Sequence, residues 1–175
     1  MSGPRRISDA IQWHEGMLLA PQHFQLLSLR EEELLQYHAL TISPFHWGVR
    51  RLEIDPVLLV EGTFRVTELE AVMPDGLLVF RPDDPSALEI DLTAFAEAMK
   101  GRPLAVHLAV PARRQGLSPV RGELPRYESF EGPAIADETS GDGDLRIPRL
   151  RPRLCLLAAE VPPQKYVSFP LARVS

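Results

Sequence analysis

Thr63-Phe64-Arg65-Val66-Thr67-Glu68-Leu69-Glu70-Ala71-Val72-Met73-Pro74-Asp75-Gly76-Leu77-Leu78-Val79-Phe80 reads as strand, turn and strand. Thr63–Val72 is rich in residues that suit a pleated, half-buried surface. Pro74-Asp75-Gly76 is a strong turn signal, and the apolar run Leu77–Phe80 follows it. The same grammar repeats on both sides. Trp47–Ile54 and Pro56–Val60 read as two earlier strands. Asp83-Asp84-Pro85-Ser86 marks a further turn. Leu88–Met99 reads as a strand passing into a short helix around Ala94–Ala98. Leu104–Val110 reads as a buried strand, and Leu124–Phe130 as another. Residues 132–144 read as an acidic, mobile loop, and Leu145–Ala159 and Tyr166–Val174 as the last two strands. Many short strands separated by turns imply a sandwich or a barrel. Seventeen prolines agree, because proline interrupts helices.

One segment departs from this pattern. Pro21 is a good first helical residue, since its missing N–H is not needed there. No glycine or proline follows until Ser43-Pro44, where the residue before proline leaves helical geometry. The spacing predicts one helix over 21–42, about 33 Å long at 1.5 Å per residue. At about 100° per residue its apolar side chains form two stripes. Phe24, Leu27, Leu34, Leu35 and Ile42 make the first, and Leu26, Leu29, Tyr37 and Leu40 the second. Gln25, Glu32 and Gln36 lie along one flank, with Arg30 on the other. A surface helix needs only one apolar stripe. Either one stripe packs on the domain and the other on something else, or the helix is buried on both sides within its own domain.

The bulk numbers bound the class. A chain of 175 residues, 45% hydrophobic and 25% charged, suits one globular domain with its own core. A formal charge of -5 disfavours nucleic acid and anionic membrane as partners. The single cysteine, Cys155, excludes an internal disulfide and fits a reducing compartment. No apolar run approaches the roughly 20 residues of a membrane span, so any membrane association would be through partners. No internal repeat and no second domain are apparent. The ending Leu171-Ala172-Arg173-Val174-Ser175 suggests a fragment of something longer.

Chemistry is poorly represented. Cys155 lies in the apolar run Leu154–Leu157, where a buried inert thiol is expected. No nucleophile elbow or phosphate-binding glycine loop is present. His14, His23, His38 and His46 are spaced like no compact ligand motif, and the acidic loop lacks the alternation of a calcium loop. No catalytic, metal or cofactor site is expected. Arg149, Arg151 and Arg153 alternate with other residues, which on a strand puts three guanidinium groups on one face. That stripe could bind phosphate or an acidic partner, or it could be a solvated face that discourages edge aggregation.

The segment Ile11-Gln12-Trp13-His14-Glu15-Gly16-Met17-Leu18-Leu19-Ala20-Pro21-Gln22-His23-Phe24-Gln25 resembles the opening of the TssK family, the baseplate subunit of bacterial type VI secretion systems. Three further blocks resemble it in order: Pro44-Phe45-His46-Trp47-Gly48-Val49-Arg50-Arg51-Leu52-Glu53-Ile54, Met73–Gly76, and Tyr166–Val174. Leu26-Leu27-Ser28-Leu29-Arg30 differs from the glutamines and aspartate common there. The resemblance covers the family's N-terminal domain. It implies a mainly β protein, a β-sandwich like the shoulder of phage receptor-binding proteins, with one long N-terminal α-helix. It also implies a cytoplasmic homotrimer that meets the baseplate wedge of TssF and TssG. A C-terminal part absent here would reach the membrane subunits TssL and TssM.

The expected division is a docking segment over 1–20 and one β-sandwich domain over 21–175. Tryptophan buries much area at little entropic cost, so Trp13 in a short apolar segment suits an interface anchor. The expected protein-binding residues are Ile11, Trp13, Met17, Leu18, Leu19, Phe24, Leu26, Leu29 and Tyr37. The competing reading folds Trp13 and Met17 back on their own domain. Another reading of the fold, a receptor- or carbohydrate-binding module, is weakened by an aromatic content of only 7%. A hydrolase using His107 or Cys155 is weaker still, since neither has an identifiable partner.

Overall fold

The structure, a computed structural model, describes residues 7–81, 88–114 and 118–175. The turn expected at 83–86 lies outside them. Helix α1 (Pro21–Ile42) has the predicted ends. Ala20 has no side-chain oxygen to cap it, so His23 does so instead. The His23 Nδ1 accepts the Ala20 N–H at 3.0 Å, while the His23 N–H donates to the Ala20 carbonyl. At the far end the Ser43 N–H closes the last turn on Ala39, one residue before Pro44 stops the helix.

The body is a sandwich. Strands β1 (Gly48–Ile54), β2 (Thr63–Val72), β3 (Leu78–Arg81) and β4 (Leu88–Asp91) form the first sheet. β1 pairs along one side of β2, and β3 and β4 follow one another along its other side. The second sheet has the order β8 (Cys155–Ala158), β5 (Leu104–Pro111), β9 (Tyr166–Val174). β4 lies against β8, and Trp47, just before β1, packs on Phe169 of β9 with ring centroids 5.6 Å apart. The central strands β2 and β5 therefore face each other. Their inward residues, Phe64, Val66, Leu69 and Ala71 against Val106, Leu108 and Val110, form the middle of the core.

The inward positions of β2 change phase between Val66 and Leu69. Glu53 pairs with Glu68 and Ile54 with Val66, so Thr67 has no partner on β1 and forms a bulge. That extra residue returns Leu69 and Ala71 to the core face. The segment Pro56–Val60, expected as a strand, is the short helix α2. Asp55 caps it: its Oδ1 accepts the N–H groups of Val57 and Leu58, and Pro56 occupies the first helical position. Local capping thus overrides the strand preference of two valines. After β4, a 3₁₀ turn (Thr93–Phe95) and the short helix α3 (Ala96–Met99) match the expected strand-to-helix passage.

Residues 145–159 are two strands, not one. β7 (Pro148–Pro152) pairs only with β6 (Tyr127–Glu131), in a ribbon belonging to neither sheet. The chain then turns at Arg153, whose N–H donates to Arg126, and enters β8. The three arginines therefore do not share one strand face. Arg151 stacks on the Phe130 ring at 4.4 Å, and Arg149 covers Gly132. The acidic stretch within 132–144, expected as a mobile loop, contains a hydrogen-bonded turn. The Asp137 carboxylate accepts the N–H groups of Thr139 and Ser140, which hold it below the usual carboxylate range.

β8 and β9 flank β5 and run in the same direction, so residues 159–165 must cross β5 from end to end. The Ala159 N–H meets Ala105 at one end, and the Ala112 N–H meets Lys165 at the other. The inner face is core, which leaves the outer face for this crossing. It explains why β5 is buried on both sides and why His107, an outward residue, is buried. Neither His107 ring nitrogen has a hydrogen-bond partner among the described residues. Burial pushes its pKa below the ordinary 6.5, and contact with the Ala159 backbone opposes this only partly. The unfolded chain recovers the ordinary value, so below about pH 6.5 it binds a proton that the folded protein resists. Stability therefore rises with pH through that window, and the contribution is lost as pH falls. The urea midpoint is expected to drop between pH 7.5 and 5.5, and to drop less in His107→Leu; equal slopes would show that His107 is not responsible.

Candidate protein-binding surface

Residues 7–20 return along α1 as an extended strap. The Ser8 N–H donates to Glu33 at 2.7 Å, and Arg30 donates to the Ser8 carbonyl. Twelve residues later the strap reaches the first turn of the helix. The bend at His14–Met17 needs Gly16, whose φ of +75° side chains rarely adopt. On the way Trp13 packs on His23, with centroids 5.9 Å apart. The histidine that caps the helix thus also holds the strap's largest side chain.

The strap and helix touch the sandwich sparingly. The Gln36 amide donates to the Pro74 carbonyl at 3.2 Å in the β2–β3 turn, and Arg113 pairs with Glu32 at 3.3 Å. Between helix and body lies a cleft of about 600 Å³, lined by Glu32, Gln36 and Ala39 above and by His46, Asp75 and Tyr127 below. The floor is anchored by Arg126, which is only 5% exposed. Its guanidinium donates to Asp75 at 2.6 Å and to the Pro111 carbonyl at 2.7 Å, so one side chain ties the β2–β3 turn, the end of β5 and the start of β6 together.

This placement settles the orientation of α1 in a way that neither sequence reading anticipated. The polar flank with Glu32 and Gln36 faces the body. The two apolar stripes lie to either side, and no residue of the helix is buried. Leu29 and Leu35 border the cleft from opposite stripes. The possibility of a helix buried on both sides is thereby corrected: a polar flank offers hydrogen bonds to the Pro74 turn but little apolar area to bury.

Of the nine residues expected to bind protein, Trp13, Leu18, Leu19, Phe24, Leu26 and Tyr37 are exposed, with Leu18 at 88% and Trp13 at 50%. Ile11, Met17 and Leu29 are half-buried. The strap and the adjoining helix turns bring Trp13 and His23 into contact, while Tyr37 lies four turns further along α1. Sequence reasoning left out Leu35, Ile42 and Phe45, all strongly exposed. Leu35 and Ile42 share the stripe of Phe24, and that shared phase was the available signal. These exposed apolar side chains on the strap and helix are the candidates for an interaction surface.

The remaining polar groups have structural places. Among the described residues, no three histidine, cysteine or acidic side chains come together as a metal site. The Cys155 thiol is directed at the Ala109 carbonyl, and burial pushes its pKa up. No described helix is long and apolar enough to cross a membrane.

A family model described as bacterial type VI secretion, EvfL, ImpJ, VasE matches residues 23–175. The type VI secretion system baseplate component TssK1 of Pseudomonas aeruginosa is 31% identical over 110 residues, which make up 62% of this chain and 24% of that protein. A crystal structure of TssK superposes with a TM-score of 0.81 at 25% identity, covering 95% of this chain and 40% of the other. A chain of the type VI secretion baseplate complex gives 0.76 at 25% identity, covering 94% and 53%. A TssK-TssF-TssG baseplate subcomplex contains a chain of the same fold, with a TM-score of 0.78 at 23% identity, covering 97% and 56%. The chain thus spans about a quarter of the curated relative's length and about half, or less, of the solved chains.

Proposed function

Since the chain belongs to the TssK family of bacterial type VI secretion, as the match over residues 23–175 shows, we propose that it is a structural adaptor of the baseplate and not an enzyme. Its strap and the start of α1 dock on the wedge proteins TssG and TssF. The protein works in the cytoplasm as a homotrimer. A part beyond the residues described here connects the baseplate to TssL and TssM at the inner membrane.

The observation that carries the docking assignment is the exposure of Trp13, Leu18, Leu19 and Phe24 on a strap and helix held away from the core. The solved TssK-TssF-TssG subcomplex supports the choice of partner, because a TssK chain there shares this fold. The strap itself precedes the residues matched by the family model, so its role rests on geometry. Trp13 is held in place by His23 without being covered, as suits an anchor that must meet a partner with little loss of side-chain freedom.

The test is capture of purified TssG by the protein carrying Trp13→Ala or Leu18→Asp. Both sites lie outside the core, so thermal midpoints should stay near wild type. Each variant is expected to weaken capture by about tenfold or more, the effect of removing a central anchor or burying a charge in its place. Wild-type capture by both variants would rule the strap out as the docking element.

A further inference from the structure

The ribbon of β6 and β7 joins neither sheet and continues past its paired strands. Ile135 and Leu145 exchange both backbone hydrogen bonds, at 3.0 and 2.9 Å, so their side chains lie on one side of it. Both are exposed, as are Ile147 and, nearer the base, Leu150. A lone two-stranded ribbon is marginal in water, and an apolar tip makes it more so unless something covers it.

Beyond the apolar pair the tip carries Asp137, Glu138, Asp142 and Asp144, all exposed. The nearest cation in sequence, Arg146, pairs with Glu131 at 3.7 Å. The tip therefore presents an apolar patch with net negative charge at its end. A second copy of this chain suits it poorly. The chain has a net charge of -5, and Arg50, Arg51, Arg65, Arg102 and Arg113 already hold carboxylates. On balance of charge, a more basic chain complements the acidic tip better than a second copy does.

We propose that this ribbon is a second docking arm: Ile135, Leu145 and Ile147 pack on an apolar strip of a different baseplate chain, and lysines or arginines beside that strip meet the acidic tip. The base of the arm is fixed by Arg126 beside the cleft under α1, which Tyr127 lines. The base of the arm and the middle of α1 thus border the same cleft, where Glu33 also holds the Ser8 N–H. The inference rests on the adaptor reading for its choice of partner.

The experiment measures binding of the purified TssF–TssG complex to the full-length protein at low and moderate salt. Four proteins are compared: wild type, Leu145→Asp/Ile147→Asp, Asp142→Lys/Asp144→Lys, and Trp13→Ala/Leu18→Asp. Each ribbon variant is expected to weaken binding by about tenfold, the scale of a lost anchor cluster. Wild-type binding should weaken with salt, and less so in the Asp142→Lys/Asp144→Lys protein, since exposed charge attraction is screened. That variant changes only exposed loop residues and keeps the test valid should the apolar substitutions unfold the ribbon. Ribbon variants binding like wild type, while the Trp13 variant does not, would overturn the arm and leave the adaptor reading intact. Absence of wild-type binding would overturn both. A change in oligomeric state in the ribbon variants would instead assign the ribbon to self-association and overturn the proposal.

Discussion

Arg126→Ala is expected to lower the unfolding free energy by about 3 kcal/mol, the lower end of the cost of breaking a buried ion pair from one side. The lower end applies because the partner Asp75 is itself part-exposed, with 26% of its side chain accessible, and can regain water. Two effects add up. The Pro111 carbonyl loses the donor that satisfies it, and Asp75 loses the charge beside it. The consequence is also geometric, because Arg126 is where the β2–β3 turn, the end of β5 and the ribbon meet. Denaturant midpoints of wild type, Arg126→Ala, Asp75→Ala and the double variant form a cycle that isolates the pair. The double variant should cost less than the sum of the singles, since no buried charge is left without its partner. Strict additivity would show that the two residues do not depend on each other.

Phe64→Ala is expected to cost about 4 kcal/mol, within the range for truncating a buried aromatic. Phe64 is 1% exposed and lies where β2 faces β5, among Val106, Leu108 and Leu88. The bulge at Thr67 fixes the phase of the inward residues, so the cavity cannot close by sliding the strand. Against a typical total of about 5–15 kcal/mol, that loss is a large fraction of the stability. Leu78→Ala is the control. Leu78 is in the same sheet but 71% exposed, and its truncation should stay within about 0.5 kcal/mol. Urea denaturation distinguishes the two, and comparable losses would contradict the sandwich interior described here.

The strongest local signals were those that neighbouring structure cannot easily override. Pro21 and Ser43-Pro44 bounded α1, because proline acts through its own ring and its own missing N–H. Thr63–Val72, Pro74-Asp75-Gly76 and Tyr166–Val174 gave the strands and turn expected of them. The family resemblance was legible for a related reason: it lay in runs of consecutive residues, and the matched region includes the blocks from Pro44 to Ile54 and from Tyr166 to Val174.

What failed were inferences that depended on which surface meets which. Pro56–Val60 is the exception, a local one: Asp55 accepts two N–H groups from the first turn, and that cap outweighs the strand preference of the valines. The run 145–159 changes at Arg153 from arginine- and proline-interrupted to wholly apolar, but that change does not say that Pro148–Pro152 pairs outside both sheets. The burial of His107 follows from a crossing by residues 159–165, and the crossing exists only because β8 and β9 lie on opposite sides of β5.

The candidate binding surface divides in the same way. The residues of the strap and the two apolar stripes of α1 were determined by the sequence alone, because the 3.6-residue period fixes which side chains share a face. The direction each face takes was decided by tertiary structure. Gln36 found a carbonyl in the Pro74 turn and Glu32 found Arg113, contacts separated by 38 and 81 residues, and these turned the polar flank inward and left the two stripes to either side of it. A periodicity defines faces relative to one another; only long-range partners decide which of them is covered.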